Sequence, residues 1–186
     1  MNSNSEQTIK QEVAVFGGGC FWCTDAVFTE LSGVTNVVPG YAGGTLENPT
    51  YKDVCSGETG HAEVVKITFD PTKINYEKLL DVFFKTHDPT TLNRQGADVG
   101  TQYRSVIFFT SEEQEKSAKK IISKLNTEKE FSKKIITEVQ KLPVFFEAEK
   151  YHDDYFKNNP QNSYCQFVIK PKVDKLKSIF SSFIEK

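Results

Sequence analysis

The chain has 186 residues, 38% of them hydrophobic and 12% aromatic, with fifteen Phe. That length suits one globular domain that buries roughly 70% of the surface of its unfolded chain, and the apolar content excludes a disordered protein. A net charge of −2 provides no field to attract nucleic acid or an anionic membrane, and no run approaches the ~18 apolar residues of a membrane span.

Residues 1 to 11 read as a polar, flexible N-terminus without the apolar stretch of a secretory signal, so the cytoplasm is the expected location. The first strand signal is Glu12 to Phe16, running into Gly17-Gly18-Gly19, and a helix is predicted at once, from about Cys20 to Leu31. Val34 to Val38 predicts a second strand, followed by a Gly-rich loop from Pro39 to Gly60. Ala62 to Phe69 alternates as a strand does, and Tyr76, Leu79, Leu80 and Phe83 then recur at helical spacing. A long polar segment, His87 to Arg104, has the length of a functional or mobile loop.

Ser105 to Phe109 predicts a strand, and Ser111 with Gln114 forms a capping box opening a helix whose Ala118, Ile121, Ile122 and Leu125 share one face. Ile135 to Gln140 and Tyr164 to Ile169 read as further strands, and Leu176, Ile179, Phe180 and Phe183 as a closing amphipathic helix. This order predicts an α/β (α+β) two-layer sandwich in one catalytic domain, 1–186. Its mixed sheet carries helices mainly on one face in a ferredoxin-like arrangement.

Four cysteines, Cys20, Cys23, Cys55 and Cys165, suggest catalysis, metal binding or core packing more than a disulfide scaffold in a chain of this size. The chemistry centres on Gly17-Gly18-Gly19-Cys20-Phe21-Trp22-Cys23. The glycines allow a tight strand-to-helix turn that puts Cys20 at the first helical turn. There, unpaired N–H groups and the dipole favour a thiolate and a lowered pKa. Phe21 and Trp22 either wall a small apolar pocket beside the thiol or pack into the core. No His-Glu-x-x-His occurs, and Cys20-x-x-Cys23 has no second such pair, so no metal site is expected.

These residues carry a family resemblance. Gly-Cys-Phe-Trp at 19 to 22 is followed in order by Gly-Tyr-Ala-Gly-Gly at 40 to 44, Asn-Pro-Thr-Tyr at 48 to 51, Cys-Ser-Gly at 55 to 57 and Thr-Gly-His-Ala-Glu at 59 to 63. His-Asp-Pro at 87 to 89, the run from Asp98 to Ser105 and Ala-Glu-Lys-Tyr-His at 148 to 152 complete the series. Over roughly residues 12 to 170 the chain resembles the A-type methionine sulfoxide reductases.

The resemblance implies reduction of the S epimer of methionine sulfoxide, free or in proteins. Cys20 matches the family nucleophile and would become a sulfenic acid, with Glu63 as the acid that protonates the departing oxygen. Tyr51 and Tyr103 match hydroxyls that hold the sulfoxide oxygen, Asp98 a carboxylate that binds the substrate's backbone N–H, and Phe21 and Trp22 a site for the S-methyl group. Arg104 is expected to be an ion-pair partner, and His61, His87 and His152 structural hydrogen-bonders.

No cofactor is expected beyond an external thiol, thioredoxin in the family, and the chain is expected to act as a monomer. Cys23 is the favoured resolving thiol, at a spacing that can close a disulfide at a helix start; Cys165, which aligns loosely with the distal cysteine of other members but is followed by a strand-like run, comes second, and direct reduction by a small thiol with no resolving cysteine is the third route. Cys55 is expected to be a small buried residue. The alternatives to this reading are a thioredoxin-like dithiol oxidoreductase, which has no need of Glu63, and a non-enzymatic redox sensor.

Overall fold

The computed structural model describes residues 10–184. Of the expected N-terminal segment 1–11, all but Lys10 and Gln11 lies outside the described residues. Strand β1 (Glu12–Gly18) leads through Gly19 and Cys20 into helix α1 (Phe21–Thr29), then β2 (Val34–Ala42), α2 (Tyr51–Cys55), β3 (Ala62–Phe69) and α3 (Tyr76–Thr86). A two-residue hairpin, β4 (Arg94–Gln95) and β5 (Asp98–Val99), precedes a 3₁₀ turn at 101–103, β6 (Ser105–Phe109), α4 (Glu112–Thr127), β7 (Glu138–Lys141) and β8 (Phe145–Glu147). After α5 (Tyr155–Asn158), a π-helical turn at 165–169 runs into α6 (Lys170–Ile179).

The main sheet has the order β7-β6-β1-β3-β2-β8. Its centre, β6-β1-β3-β2, is antiparallel throughout, and α1 and α3 are the crossovers of a split β-α-β, the ferredoxin-like pattern. Beyond it β7 adds parallel to β6, and β8 antiparallel to β2.

Strand alternation explains the layering. Ala14 and Phe16, Val65 and Ile67, and Ile107 point into the large core, with Phe28, Leu79, Leu80, Phe83, Ala118 and Leu176 from the helices. Val15, Val64, Val106 and Phe108 point the other way into a small second cluster with Ala42 and Ala62. Both faces of the central strands are therefore covered, and full burial of a ring such as Phe16 contributes on the order of 2 kcal/mol.

Several expectations are corrected. Tyr164 to Ile169 is not a strand: Asn162 Oδ1 accepts the Tyr164 N–H at 2.9 Å and starts a helical turn that continues into α6. Pro171 lies where the π-helical turn gives way to α6. The supposed loop 39–60 begins as strand, because β2 runs on to Ala42, and it contains α2, capped by a full Thr50–Asp53 capping box. The segment 87–104 is not structureless either. Buried Gln95 ties it together, taking the Asp88 N–H at 3.0 Å and donating to the Asp88 carbonyl at 3.0 Å.

Among the described residues no helix is long and apolar enough to cross a membrane.

Candidate active site

The site is built where β1 ends. Gly19 has φ +103, and a Cβ there would lie 2.6 Å from Gln95 Cγ, so only glycine allows this turn against the hairpin. The turn delivers Cys20 as the residue before α1, its carbonyl accepting the Cys23 N–H at 3.0 Å. The Phe21 N–H, free at the start of the helix, donates to Glu63 Oε2 at 3.0 Å. Glu63 lies on β3, opposite Tyr41 of β2, and is 1% exposed.

This carboxyl is a buried acid. Desolvation raises its pKa to about 8, against the Phe21 hydrogen bond, with the charges of Asp98 and Cys23 adding to the rise. Its Oε1 is buried and makes no hydrogen bond. With Oε2 taken as an acceptor, Oε1 is the atom free to carry the proton. The hydroxyls of Tyr51 and Tyr103 are both held above their ordinary pKa, chiefly by burial and then by the Glu63 carboxylate; the Cys20 charge acts on Tyr103 as well. Both phenols therefore stay protonated and can donate.

Cys20 is 7% exposed. The helix start does not win here. Burial, the hydrogen bond with Cys23 and the Glu63 charge raise the Cys20 thiol well above the ordinary range, outweighing the Trp22 N–H that favours the thiolate. Cys23 goes the other way, to about 7. Its hydrogen bond with Cys20 lowers it against burial; the Lys172 ammonium assists, and Asp98 opposes. The interaction between the two sulfurs therefore favours the thiol on Cys20 and the negative charge on Cys23.

The two aromatics part company. Phe21 is fully buried, its ring 5.7 Å from Tyr41 and 4.9 Å from His152, centroid to centroid. Trp22 is half-buried and donates through Nε1 to His152 Nδ1 at 2.9 Å. One face of its indole is stacked by Tyr155 at 3.7 Å with an interplanar angle of 4°. Asp98, on β5, accepts the Tyr164 hydroxyl at 2.5 Å, and the same hydroxyl lies 3.8 Å from Cys23 Sγ.

All four cysteines are free. Cys20, Cys23 and Cys165 share one buried cluster. Cys55, expected to be buried, is exposed at the end of α2, which turns only Val54 inward. The histidines are structural hydrogen-bonders: His61 receives the Gly44 N–H and reaches the Leu46 carbonyl, and His87 joins the Phe83 carbonyl to Ser105. Arg104 pairs with Glu138 at 3.3 Å and binds the carbonyls of Gly60 and Thr101. Among the described residues no group of three or more His, Cys, Asp or Glu side chains is arranged to hold a metal ion.

Three contributors escaped the sequence reading as individuals. Glu149 accepts the Tyr51 N–H and the Tyr41 hydroxyl, each at 2.8 Å, and so fixes the start of α2 beside the site. Its only sequence signal was membership of the 148 to 152 motif. Gln95 braces the Gly19 turn, and Tyr164 bridges Asp98 and Cys23, with no signal beyond its place before Cys165.

A family model described as peptide methionine sulfoxide reductase matches residues 12–183. The chain belongs to that family. Peptide methionine sulfoxide reductase MsrA of Deinococcus radiodurans is 55% identical over 170 residues, covering 91% of this chain and 82% of the relative. The Nautilia profundicola MsrA is 57% identical over 162 residues, covering 87% and 92%. Among solved structures, reduced Mxr1 of Saccharomyces cerevisiae is 35% identical with a TM-score of 0.78, over 86% of this chain and 94% of that one. Methionine sulfoxide reductase A of Corynebacterium diphtheriae is 34% identical with a TM-score of 0.79, over 84% and 78%. The reductase is an oxidoreductase that returns methionine sulfoxide to methionine at the expense of thiols.

Proposed function

We propose that the reductase works by attack of the Cys20 sulfur on the sulfoxide sulfur while Glu63 protonates the departing oxygen. The observation that carries this is the Glu63 carboxyl. It is buried, raised to about 8 and placed by the Phe21 N–H beside Cys20, with Oε1 unpartnered. At neutral pH such a group is an acid with a proton to give. A dithiol exchange catalyst has no use for one.

The protons balance. The Cys20 thiol passes its proton to the Cys23 thiolate as Cys20 sulfur bonds to the sulfoxide sulfur, and Glu63 gives its proton to the oxygen. Collapse moves the oxygen to Cys20, leaving a sulfenic acid, a Cys23 thiol, a Glu63 carboxylate and methionine. Tyr51 and Tyr103 supply hydroxyl donors for an oxygen that gains negative charge. Asp98 is the acceptor for the substrate's backbone N–H. The Trp22 edge, more than the buried Phe21, holds the S-methyl group, and the asymmetry of this arrangement selects the S epimer.

Cys23 then attacks the sulfenic acid, expelling water and closing a disulfide with Cys20. The support is its interaction with Cys20, whereas Cys165 is fully buried in the same cluster. A dithiol partner reopens the disulfide. Yeast Mxr1 is known in complex with Trx2, and thioredoxin is the reductant assigned here.

The test is turnover of each sulfoxide epimer with dithiothreitol. Wild type should reduce the S epimer, and Cys20→Ser should reduce neither. Equal use of both epimers, or activity surviving in Cys20→Ser, refutes the reading.

A further inference from the structure

The groups facing Cys23 come from four directions. Cys20 caps the start of its own helix, Tyr164 and Cys165 lie at the start of the π-helical turn, Lys172 on α6 and Asp98 on the hairpin. Cys23, His87 and Lys172 also line one small cavity. Of these groups Tyr164 is the one in contact with both Cys23 and a carboxylate. Its hydroxyl has a single hydrogen, and at 2.5 Å that hydrogen is committed to Asp98 Oδ2. Once the first half-reaction has protonated Cys23, the same oxygen, 3.8 Å from Cys23 Sγ, is left as an acceptor for the Cys23 S–H.

This matters at the second half of the reaction. In the reduced enzyme Cys23 owes its lowered pKa first to the Cys20 thiol. The first half-reaction consumes that thiol and leaves Cys23 protonated. A thiol is a poor nucleophile, so the resolving step needs a base that was not needed before. Cys20 cannot supply it, the Glu63 carboxylate makes no hydrogen bond to Cys23, and His87 is held by its own hydrogen bonds to the Phe83 carbonyl and Ser105.

We propose that Tyr164 is a further catalytic residue, relaying the Cys23 proton to Asp98 as Cys23 attacks the sulfenic acid on Cys20. The reading rests on Cys23 being the resolving thiol. The S–S bond forms as the Cys20 S–O bond breaks. The Cys23 proton moves to the Tyr164 oxygen while the Tyr164 proton moves to Asp98. The expelled hydroxide takes one proton from solvent to become water, and Asp98 later returns one. Burial and the neighbouring sulfurs hold the Tyr164 hydroxyl far above its ordinary pKa, so it acts as a relay and never as a standing base. The Lys172 ammonium offsets the charge as it develops on sulfur. Asp98 would thereby serve twice, first holding the substrate and then, once methionine leaves, taking the proton.

The experiment is single turnover of methionine S-sulfoxide without reductant, following methionine released and the Cys20–Cys23 disulfide formed, from pH 6 to 10. For Tyr164→Phe the ratio of disulfide-forming to methionine-forming rate should fall about 100-fold at pH 7, the lower end of what a positioned proton acceptor contributes. The variant's disulfide rate should then climb about tenfold per pH unit toward the thiol's own titration, whereas the wild-type rate stays nearly level. Because the ratio is internal to each protein, loss of folded enzyme does not alter it. A ratio within threefold of wild type, with an unchanged pH profile, overturns the relay alone. If wild type forms no Cys20–Cys23 disulfide at all, the assignment of Cys23 falls as well.

Discussion

Replacing Glu63 by Gln separates the acid from its shape. Glutamine keeps an oxygen to accept the Phe21 N–H and an amide N–H where the protonated carboxyl has its O–H, and it is neutral, as Glu63 is at pH 7. The fold should therefore hold, and only the transferable proton is lost. With a pKa of about 8, about nine-tenths of the wild type is protonated at pH 7 and about one-tenth at pH 9. Methionine formation in the wild type should thus fall roughly tenfold across that interval. Glu63→Gln should lower the rate at pH 7 by about 10²- to 10⁴-fold, the usual contribution of general acid catalysis, and abolish the descending limb. The assay is quenched-flow measurement of methionine at saturating sulfoxide. A Glu63→Gln rate within tenfold of wild type, or a descending limb that persists in the variant, would refute the acid role.

Gly19→Ala forces a side chain into φ +103 and to within 2.6 Å of Gln95, so it should cost about 1–3 kcal/mol in urea unfolding and lower kcat by displacing Cys20. Burial and the charges of Asp154 and Asp153 raise Asp25 to about 8, so folding binds a proton that the unfolded chain releases above its ordinary pKa. The wild type accordingly loses stability as pH rises from about 4 to 8. Asp25→Asn should melt higher than wild type at pH 9, with the gap closing toward pH 4; a pH-independent gap would count against the buried acid. Trp22→Phe strands the buried His152 Nδ1 and should cost about 1–3 kcal/mol in chemical denaturation. Glu149→Gln weakens the hold on Tyr51 and should lower kcat about tenfold in steady-state assays without unfolding the protein.

The ferredoxin-like core was legible because its signals are local and strong. Alternation over Ala62 to Phe69, the helical spacing of Tyr76 to Phe83 and the Ser111 cap each specify one element. The Ser111 cap is only half the expected box: Gln114 gives its N–H to Ser111 Oγ, but its side chain turns to the Thr110 N–H and the Val13 carbonyl. What failed was short or set by distant contacts. Helix α2 and strand β8 are five and three residues long, too short for periodicity to register. Tyr164 to Ile169 has strand-like composition, yet Asn162 begins a helical turn there and leaves Phe167 82% exposed.

Residue types and spacing named the site, but they did not yield its electrostatics. The helix-start argument favoured a lowered Cys20 pKa, whereas burial and two neighbouring groups overrule it and pass the thiolate character to Cys23. Burial of that kind depends on α6 and the 165–169 turn, more than a hundred residues away in sequence.

The most direct test of the account is to trap the intermediate. Cys23→Ser, mixed with one equivalent of methionine S-sulfoxide and a sulfenic-acid-specific carbon nucleophile, is digested and mapped by mass spectrometry. The account predicts one methionine per enzyme, formed more slowly than in wild type because the Cys23 thiolate is missing, and a label on Cys20. A label on another cysteine, or methionine formed with Cys20 unmodified, would contradict it.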